Sequence, residues 1–518
     1  VTDNPTLCPL TWPQQRRNLV LFALGIGMNY LAAPVLYVGI TQSSLVDKLG
    51  GSTKTANLPA TIFFAMTAIP ALYAWMWPGV AALKRNLTIC YSLCALMLGA
   101  VAVALRMDVS NSFKIGMVIL QGGVSGAVMP AATAYLWEAV SRGSDESRRG
   151  LALGMAFGMG PILAVIGSLG QAALLGGRFF GWEFPKGEGL DGYMLLFAAG
   201  VPMMGLAVLF GLMLIIPQPE RDAEREPASQ VLGLLFALPA MLASVFLNFR
   251  ADVVDEMIVK GESMSSGGNL DALLQNPSLL RGLSYAFAAV SAAGFIYHFR
   301  SIFRQRTLLV ATLVTILVYC GNMMPSNMNL YSAEALKSSA TSVDADSQQD
   351  VDLPTKYAAM QNTLKFSFKV FAGLLLGWLL TRTNPRAGIV ATSAVFLVAA
   401  LWAMIATGPW YLLAFGIYGA GELIGVYAPN YIVSASKPGE LRKNTAFMTL
   451  LMMPAAPAGV LYGTLVNMSK ERGWTWNGMN PATFGFRLSF LVAAGLILSG
   501  ILLALAMLPK TPRAPEKG

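Results

Sequence analysis

The sequence predicts an all-α polytopic membrane protein with about fourteen transmembrane helices. Three observations carry this. Of its 518 residues, 55% are hydrophobic and only 12% charged, where a typical soluble chain has about 25% charged residues. Apolar runs of about 20 residues, the length that crosses a hydrocarbon core, recur along the whole chain. Lys and Arg gather in every second loop between those runs. Such continuous runs must be helical, because lipid offers unpaired backbone groups no partner and a β-barrel would show short alternating segments.

Taken in order, hydropathy places spans at 18–41, 57–82, 87–105, 114–140, 150–175, 191–216, 231–249, 280–298, 307–331, 358–381, 387–407, 410–435, 444–467 and 486–508. The first follows Arg16 and Arg17 and reads as a retained signal anchor. Lys84 and Arg85 close the second span, Arg142, Arg148 and Arg149 the fourth, and Arg221 and Arg225 the sixth. The series continues through Arg300, Arg304 and Arg306, then Arg382 and Arg386, then Lys437, Arg442 and Lys443, and ends with Lys510, Arg513 and Lys517. One face therefore carries the basic loops, so both termini are expected in the cytoplasm, with a bacterial plasma membrane as the expected location. Opposite loops are polar: 250–278 holds Arg250, Asp252, Asp255, Glu256 and Lys260, and 332–356 holds Asp344, Asp346, Asp350 and Asp352 in a Ser-rich setting that reads as a solvated linker.

The chain also repeats itself. Gly126-x-x-x-Pro130, Arg148 and Pro161 recur as Gly425-x-x-x-Pro429, Arg442 and Pro457, each set joining two apolar runs across a basic loop. Two halves of six spans follow, 1–216 and 300–518, with a central linker of two additional helices over 217–299. Duplicated halves facing one cavity are how a chain builds a site that opens to either side of a bilayer.

Cytoplasmic motifs add a family likeness. Gly377-Trp-Leu-Leu-Thr-Arg382-Thr-Asn-Pro-Arg386 resembles the signature Gly-x-Leu-Ala-Asp-Arg-x-Gly-Arg-Arg of the major facilitator superfamily, with Thr381 in place of the acidic residue and Asn384 in place of the second Gly. Trp75 to Arg85 keeps only the basic end of that signature. Tyr135-Leu-Trp-Glu138 followed by Arg149-Gly150 is similar to a segment of sugar-porter-like members, and Gly154, Gly158, Gly160 and Pro161 to the fifth-span motif of antiporter members. The resemblance implies two six-helix bundles in pseudo-twofold relation, alternating access, and a cavity lined by the first and fourth helices of each half. On that basis Asn29, Tyr30, Gln121, Asn322, Asn327 and Tyr418 are candidate solute contacts, against interhelical hydrogen bonds worth about 0.6 kcal/mol each as the plainer role. At the cytoplasmic end Glu138, Arg148, Arg149, Arg382 and Arg442 are candidate gate residues.

Embedded charges are the sharpest local signal, since each costs about 2.5–3.5 kcal/mol or more at mid-membrane. Glu422 lies twelve residues beyond Trp410, roughly 18 Å along a helix and so near the midplane. Desolvation there disfavours the charged carboxylate, as a reversible proton carrier requires, while a permanent ion pair with a lysine is the alternative. Lys365 and Lys369 stack on one helix face with Asn362, and the two cations want an anion, either Glu422 or a charged group of the solute. Snorkelling to the headgroups is easy for Lys365 and harder for Lys369.

No paired His motif, nucleotide loop or metal spacing occurs, the single histidine being His298; no catalytic residues, metal or cofactor are expected. The net charge of +9 follows the loops and carries no nucleic-acid footprint. The expected function is a secondary active transporter, not an enzyme, for a small hydrophilic solute that is anionic or sugar-like, coupled to protons. Its expected partners are that solute, protons and the lipid bilayer, around a monomer. A drug or metabolite antiporter and a non-transporting receptor or scaffold remain the alternatives.

Overall fold

A computed structural model describes residues 10–37, 39–176, 178–179, 182–183, 189–217, 231–259, 275–303, 305–336, 353–435, 452–510 and 512; residues 71, 74, 146–158, 178–179, 182–183, 256, 259, 301–303, 376–381, 429–430 and 433–434 are described by backbone alone. The first span is broken into α1 (Trp12–Leu31), α2 (Ala33–Leu36) and α3 (Ile40–Lys48), with Gly39 at φ 139° in a conformation that suits only glycine. The second is likewise broken, into α4 (Thr53–Met66) and α5 (Ile69–Met76), the latter opened by Pro70. Next come α6 (Leu83–Arg106), α7 (Asn111–Gly143), α8 (Glu146–Leu175), a two-residue antiparallel pair of strands at 178–179 and 182–183, and α9 (Asp191–Met213). The central pair is α10 (Leu232–Val259) and α11 (Pro277–Phe303). The second half holds α12 (Arg306–Tyr319), α13 (Met324–Ala335), α14 (Leu353–Arg382), α15 (Pro385–Ile405), α16 (Leu413–Gly421), α17 (Ile424–Ala435), α18 (Pro457–Glu471) and α19 (Pro481–Met507).

Each of the fourteen expected spans contains helix among the described residues, and the class is the expected all-α membrane fold; of the thirteenth, 444–451 lie outside the described residues. The first, second, ninth and twelfth are interrupted within the described residues. Nine of the described helical segments are long and apolar enough to cross a membrane. The first and second spans, α8, α14 and α18 fall outside those nine, and α4, α8, α14 and α18 are the helices that pack across the seam between the halves.

Packing repeats along with sequence. In the first half the third span packs on the sixth (α6 on α9) and on the fourth (α6 on α7), and the second packs on the fourth (α4 on α7). The second half repeats all three contacts, as α15 on α19, α15 on α16 and α14 on α16. Across the seam the fifth span of one half meets the second of the other in both senses, α8 on α14 and α18 on α4. Exchange of the same pair in both directions is what a pseudo-twofold axis between bundles produces. Basic residues finish the sixth span of each half: Arg17 donates to the Met213 carbonyl at 2.9 Å, and Arg386 to Leu508 at 2.9 Å, satisfying carbonyls that a helix end leaves orphaned.

One polar segment is not the loop expected. α10 continues through Arg250, Asp252 and Asp255 to Val259, because cations on neighbouring helices neutralise the acids. Lys54 reaches Asp252 at 2.6 Å, and Arg281 on α11 pairs with Asp252 at 3.4 Å and with Asp255. Hydropathy reads these charges as a loop because it is blind to partners on other elements. The cluster is part-exposed, so Asp252→Asn is expected to cost no more than about 1 kcal/mol in thermal unfolding of the detergent-solubilised protein.

Candidate functional site

A close approach of two helices builds the charged site. A Cβ on Gly419 of α16 would run into the backbone carbonyl of Lys365 on α14, and one on Gly416 into the Phe368 ring, so only hydrogen atoms at these positions let the helices touch. Three glycines within six residues, Gly416, Gly419 and Gly421, also weaken the helix. It stops at Gly421, Glu422 and Leu423 form a turn, and α17 resumes at Ile424. Glu422 therefore projects from a helix break at the contact with α14. One of its carboxylate oxygens lies 2.8 Å from Lys365 Nζ, and the other accepts from Lys369 Nζ at 3.2 Å.

Both lysines point inward. Phe371 and Leu375, 72% and 64% exposed, mark the lipid face of α14; at about 100° per residue they lie on the far side of the helix from Lys369. Lys365 is buried and sits 5.2 Å from the Tyr418 ring centroid and 5.7 Å from that of Phe366, so it does not snorkel. Its head is held by the carboxylate and the two π faces. Glu422 is paired with both lysines, the ion-pair alternative that the sequence left open beside a proton carrier. Three formal charges, two positive and one negative, leave this site with an excess of one positive charge.

The first half closes the opposite wall. Gly160 of α8 makes room for the ring of Tyr30, where a Cβ would collide. Tyr30 packs 6.1 Å from Phe366 and 6.0 Å from Tyr37, and Tyr37 lies 5.9 Å from Phe366. Tyr30 lies within electrostatic reach of both Lys369 and Glu422, and Tyr37 within reach of Glu422. Tyr37 is 39% exposed although it packs against Tyr30 of its own half and Phe366 of the other. A groove of about 810 Å³ elsewhere, between α6, α7 and α9, opens onto the lipid face and is lined almost wholly by apolar side chains.

The other candidate residues are spread more widely. Asn29 donates to the Tyr91 hydroxyl at 3.1 Å, and Gln121 to the Val35 carbonyl at 3.0 Å, tying helices within the first half. Tyr418 donates to the Asn322 carbonyl at 3.3 Å. Asn362, though on the lysine stripe, donates across the seam to Gln171 at 2.9 Å, and Asn327 accepts from Asn57 at 2.7 Å. Glu138 pairs with Arg142 one turn along its own helix at 2.8 Å. Arg382 is exposed at the end of α14, while the side chains of Arg148 and Arg149 and all of Arg442 lie outside the described residues. Asn384, where the signature has Gly, caps α15 by accepting from the Ala387 amide at 3.1 Å.

A second polar set was singled out from sequence only in part, through Asn327 and Asn362. At the end of the bundle away from the termini, Ser43 donates to Asn329 at 3.2 Å, Tyr193 and Thr355 share a bond of 2.7 Å, and the Asn57 and Gln171 bonds complete the series. The hydrogen bonds between the halves gather there and are almost all between uncharged groups. Polar residues at helix ends look ordinary in a sequence, and only their partners across the seam give them meaning. Replacing Asn57 and Asn329 together by Ala is expected to loosen this end, read as faster thiol labelling of a cysteine placed at Ser43 in otherwise Cys-free protein; unchanged labelling counts against the seam as a closure.

Comparison with solved structures follows from this architecture. The chain matches an auto-inhibited POT family peptide transporter at TM-score 0.60 and 14% identity, covering 97% of this chain and 99% of the other. It matches the nucleoside transporter NupG at TM-score 0.56 and 12% identity, over 95% and 98% of the two chains, and a D-xylose-proton symporter at 0.57 and 13%, over 96% and 99%. No family model and no curated protein matches the sequence. The chain shares the fold of these transporters.

Proposed function

We propose that this protein is a secondary active transporter that couples movement of a small anionic, hydrophilic solute to protons by alternating access. The observation that carries the reading is the Lys365–Glu422–Lys369 cluster, which lies within electrostatic reach of Tyr30 and Tyr37 of the other half with one positive charge uncompensated. A proton arriving on Glu422 removes its hold on the lysines and leaves two cations free to bind an anion. Proton and anion thereby favour each other, the coupling a symporter needs. With the terminal end in the cytoplasm, as the basic loops favour, the hydrogen-bonded seam would close the outer side and a solute chamber beside Tyr37 would open inward. Glu138 with Arg142, and the basic residues 148, 149, 382 and 442, would form the inner gate.

Purified protein in proteoliposomes tests this. An inward solute gradient is expected to alkalinise the medium it leaves, and Glu422→Gln, checked for monodisperse elution, is expected to abolish that pH change. Proton movement opposite to the solute would make the protein an antiporter, and absence of flux with every solute class would leave a receptor.

A further inference from the structure

We infer that the solute is a monocarboxylate carrying a planar ring, with its carboxylate on Lys365 and Lys369 and its ring on the open face of Tyr37. This rests on the reading of the chamber as the solute site.

Charge count sets the first half of the inference. Two ammonium groups meet one carboxylate, and Glu422 is the acid within 4 Å of either lysine among the described residues. With Glu422 ionised, one monoanion brings the cluster to neutrality; with Glu422 protonated, a monoanion takes over the same two donors that the glutamate held. A dianion would overcompensate the ionised site, and a neutral solute would leave a charge stranded in low dielectric. The groups facing Glu422 are Lys365 and Lys369 from α14, Tyr418 from α16, and Tyr30 and Tyr37 from the first half, so no described neighbour supplies a second negative charge near neutral pH.

Ring chemistry sets the second half. Tyr30 and Phe366 are buried and approach Tyr37 at 6.0 and 5.9 Å. They brace Tyr37 while leaving 39% of it accessible. An immobilised aromatic face separated from Lys365 by the Phe366 ring alone, 5.9 Å from one and 5.7 Å from the other, offers one surface for a flat apolar group near another for a charge. A planar ring gains from offset or edge contact with such a face beyond its area alone. Sugars and peptides without a ring would meet the lysines but leave this face unused.

The experiment uses the full chain in detergent and in proteoliposomes, with benzoate, phenylacetate and 3-phenylpropanoate as probes, cyclohexanecarboxylate as the non-planar acid, and benzamide and benzylamine as the neutral and cationic rings. At least one aromatic acid is expected to bind at least tenfold more tightly than cyclohexanecarboxylate and the uncharged ring. Lys369→Gln should remove the preference for acid over amide, whereas Tyr37→Leu should remove the preference for planar over non-planar ring and keep the acid preference. Equal binding of cyclohexanecarboxylate overturns the ring assignment, and equal binding of benzamide overturns the anion assignment. If none of the aromatic acids binds while another solute drives proton flux through the same preparation, the substrate class is wrong and the transporter reading stands. If no solute of any class drives flux, the transporter reading itself fails.

Discussion

Glu422→Gln is expected to lower the stability of the folded protein by about 3–5 kcal/mol as well as stop proton-coupled flux, because it removes the shared acceptor of two buried lysines and leaves both unpaired. The contrast that identifies the cause is a triple variant. Lys365→Met with Lys369→Met and Glu422→Leu removes all three charges and should recover most of the lost stability, since apolar packing can substitute for a buried ion cluster. It should still carry nothing, having no group to bind an anion or a proton. Thermal unfolding in one detergent compares the variants; if Glu422→Gln unfolds where the parent does, the cluster does not hold the helices together. The single variant's coupling defect can then be read by itself.

Gly419→Ala should be the most damaging single methyl in the second half. Its Cβ would overlap the Lys365 carbonyl, which is backbone and cannot swing aside, so α16 must back away from α14. Overpacking of this kind costs about 1–3 kcal/mol, and retreat of α16 also carries Glu422 away from both lysines. Gly373→Ala is the matched control on α14, since nothing lies within 4 Å of its added Cβ. The expected result is loss of solute-driven pH change with Gly419→Ala and parent-like flux with Gly373→Ala. Equal behaviour of the two would mean that the close crossing does not set the charge geometry.

Much of this architecture was legible in the chain, and for a physical reason. Membrane spans announce themselves by length and composition, so all fourteen could be placed, and embedded charges are rare enough that Glu422, Lys365 and Lys369 could be picked out and their pairing anticipated. What one-dimensional reading could not provide was partners. Lys365 snorkels or stays depending on whether an anion waits inside, and Arg250 to Asp255 continue a helix because Lys54 and Arg281 come from elsewhere. The repeated Gly-Pro motif misled in detail: Gly126 lies against the Phe63 carbonyl, but Gly425 meets only Tyr319 Oη at 3.8 Å, and the matching contact in the second half belongs to Gly416 and Gly419. Tyr37 and Phe366 were missed because aromatic residues in apolar sequence carry no mark of the partner they meet across the seam.

The closure between the halves also has an environmental consequence. Its bonds join amides and hydroxyls, such as Asn57 with Asn327 and Tyr193 with Thr355, and dipoles at contact distance feel dissolved ions far less than exposed full charges do. Opening and closing should therefore proceed at nearly the same rate in dilute and in concentrated salt. The seam would hold as firmly in brine as in fresh water.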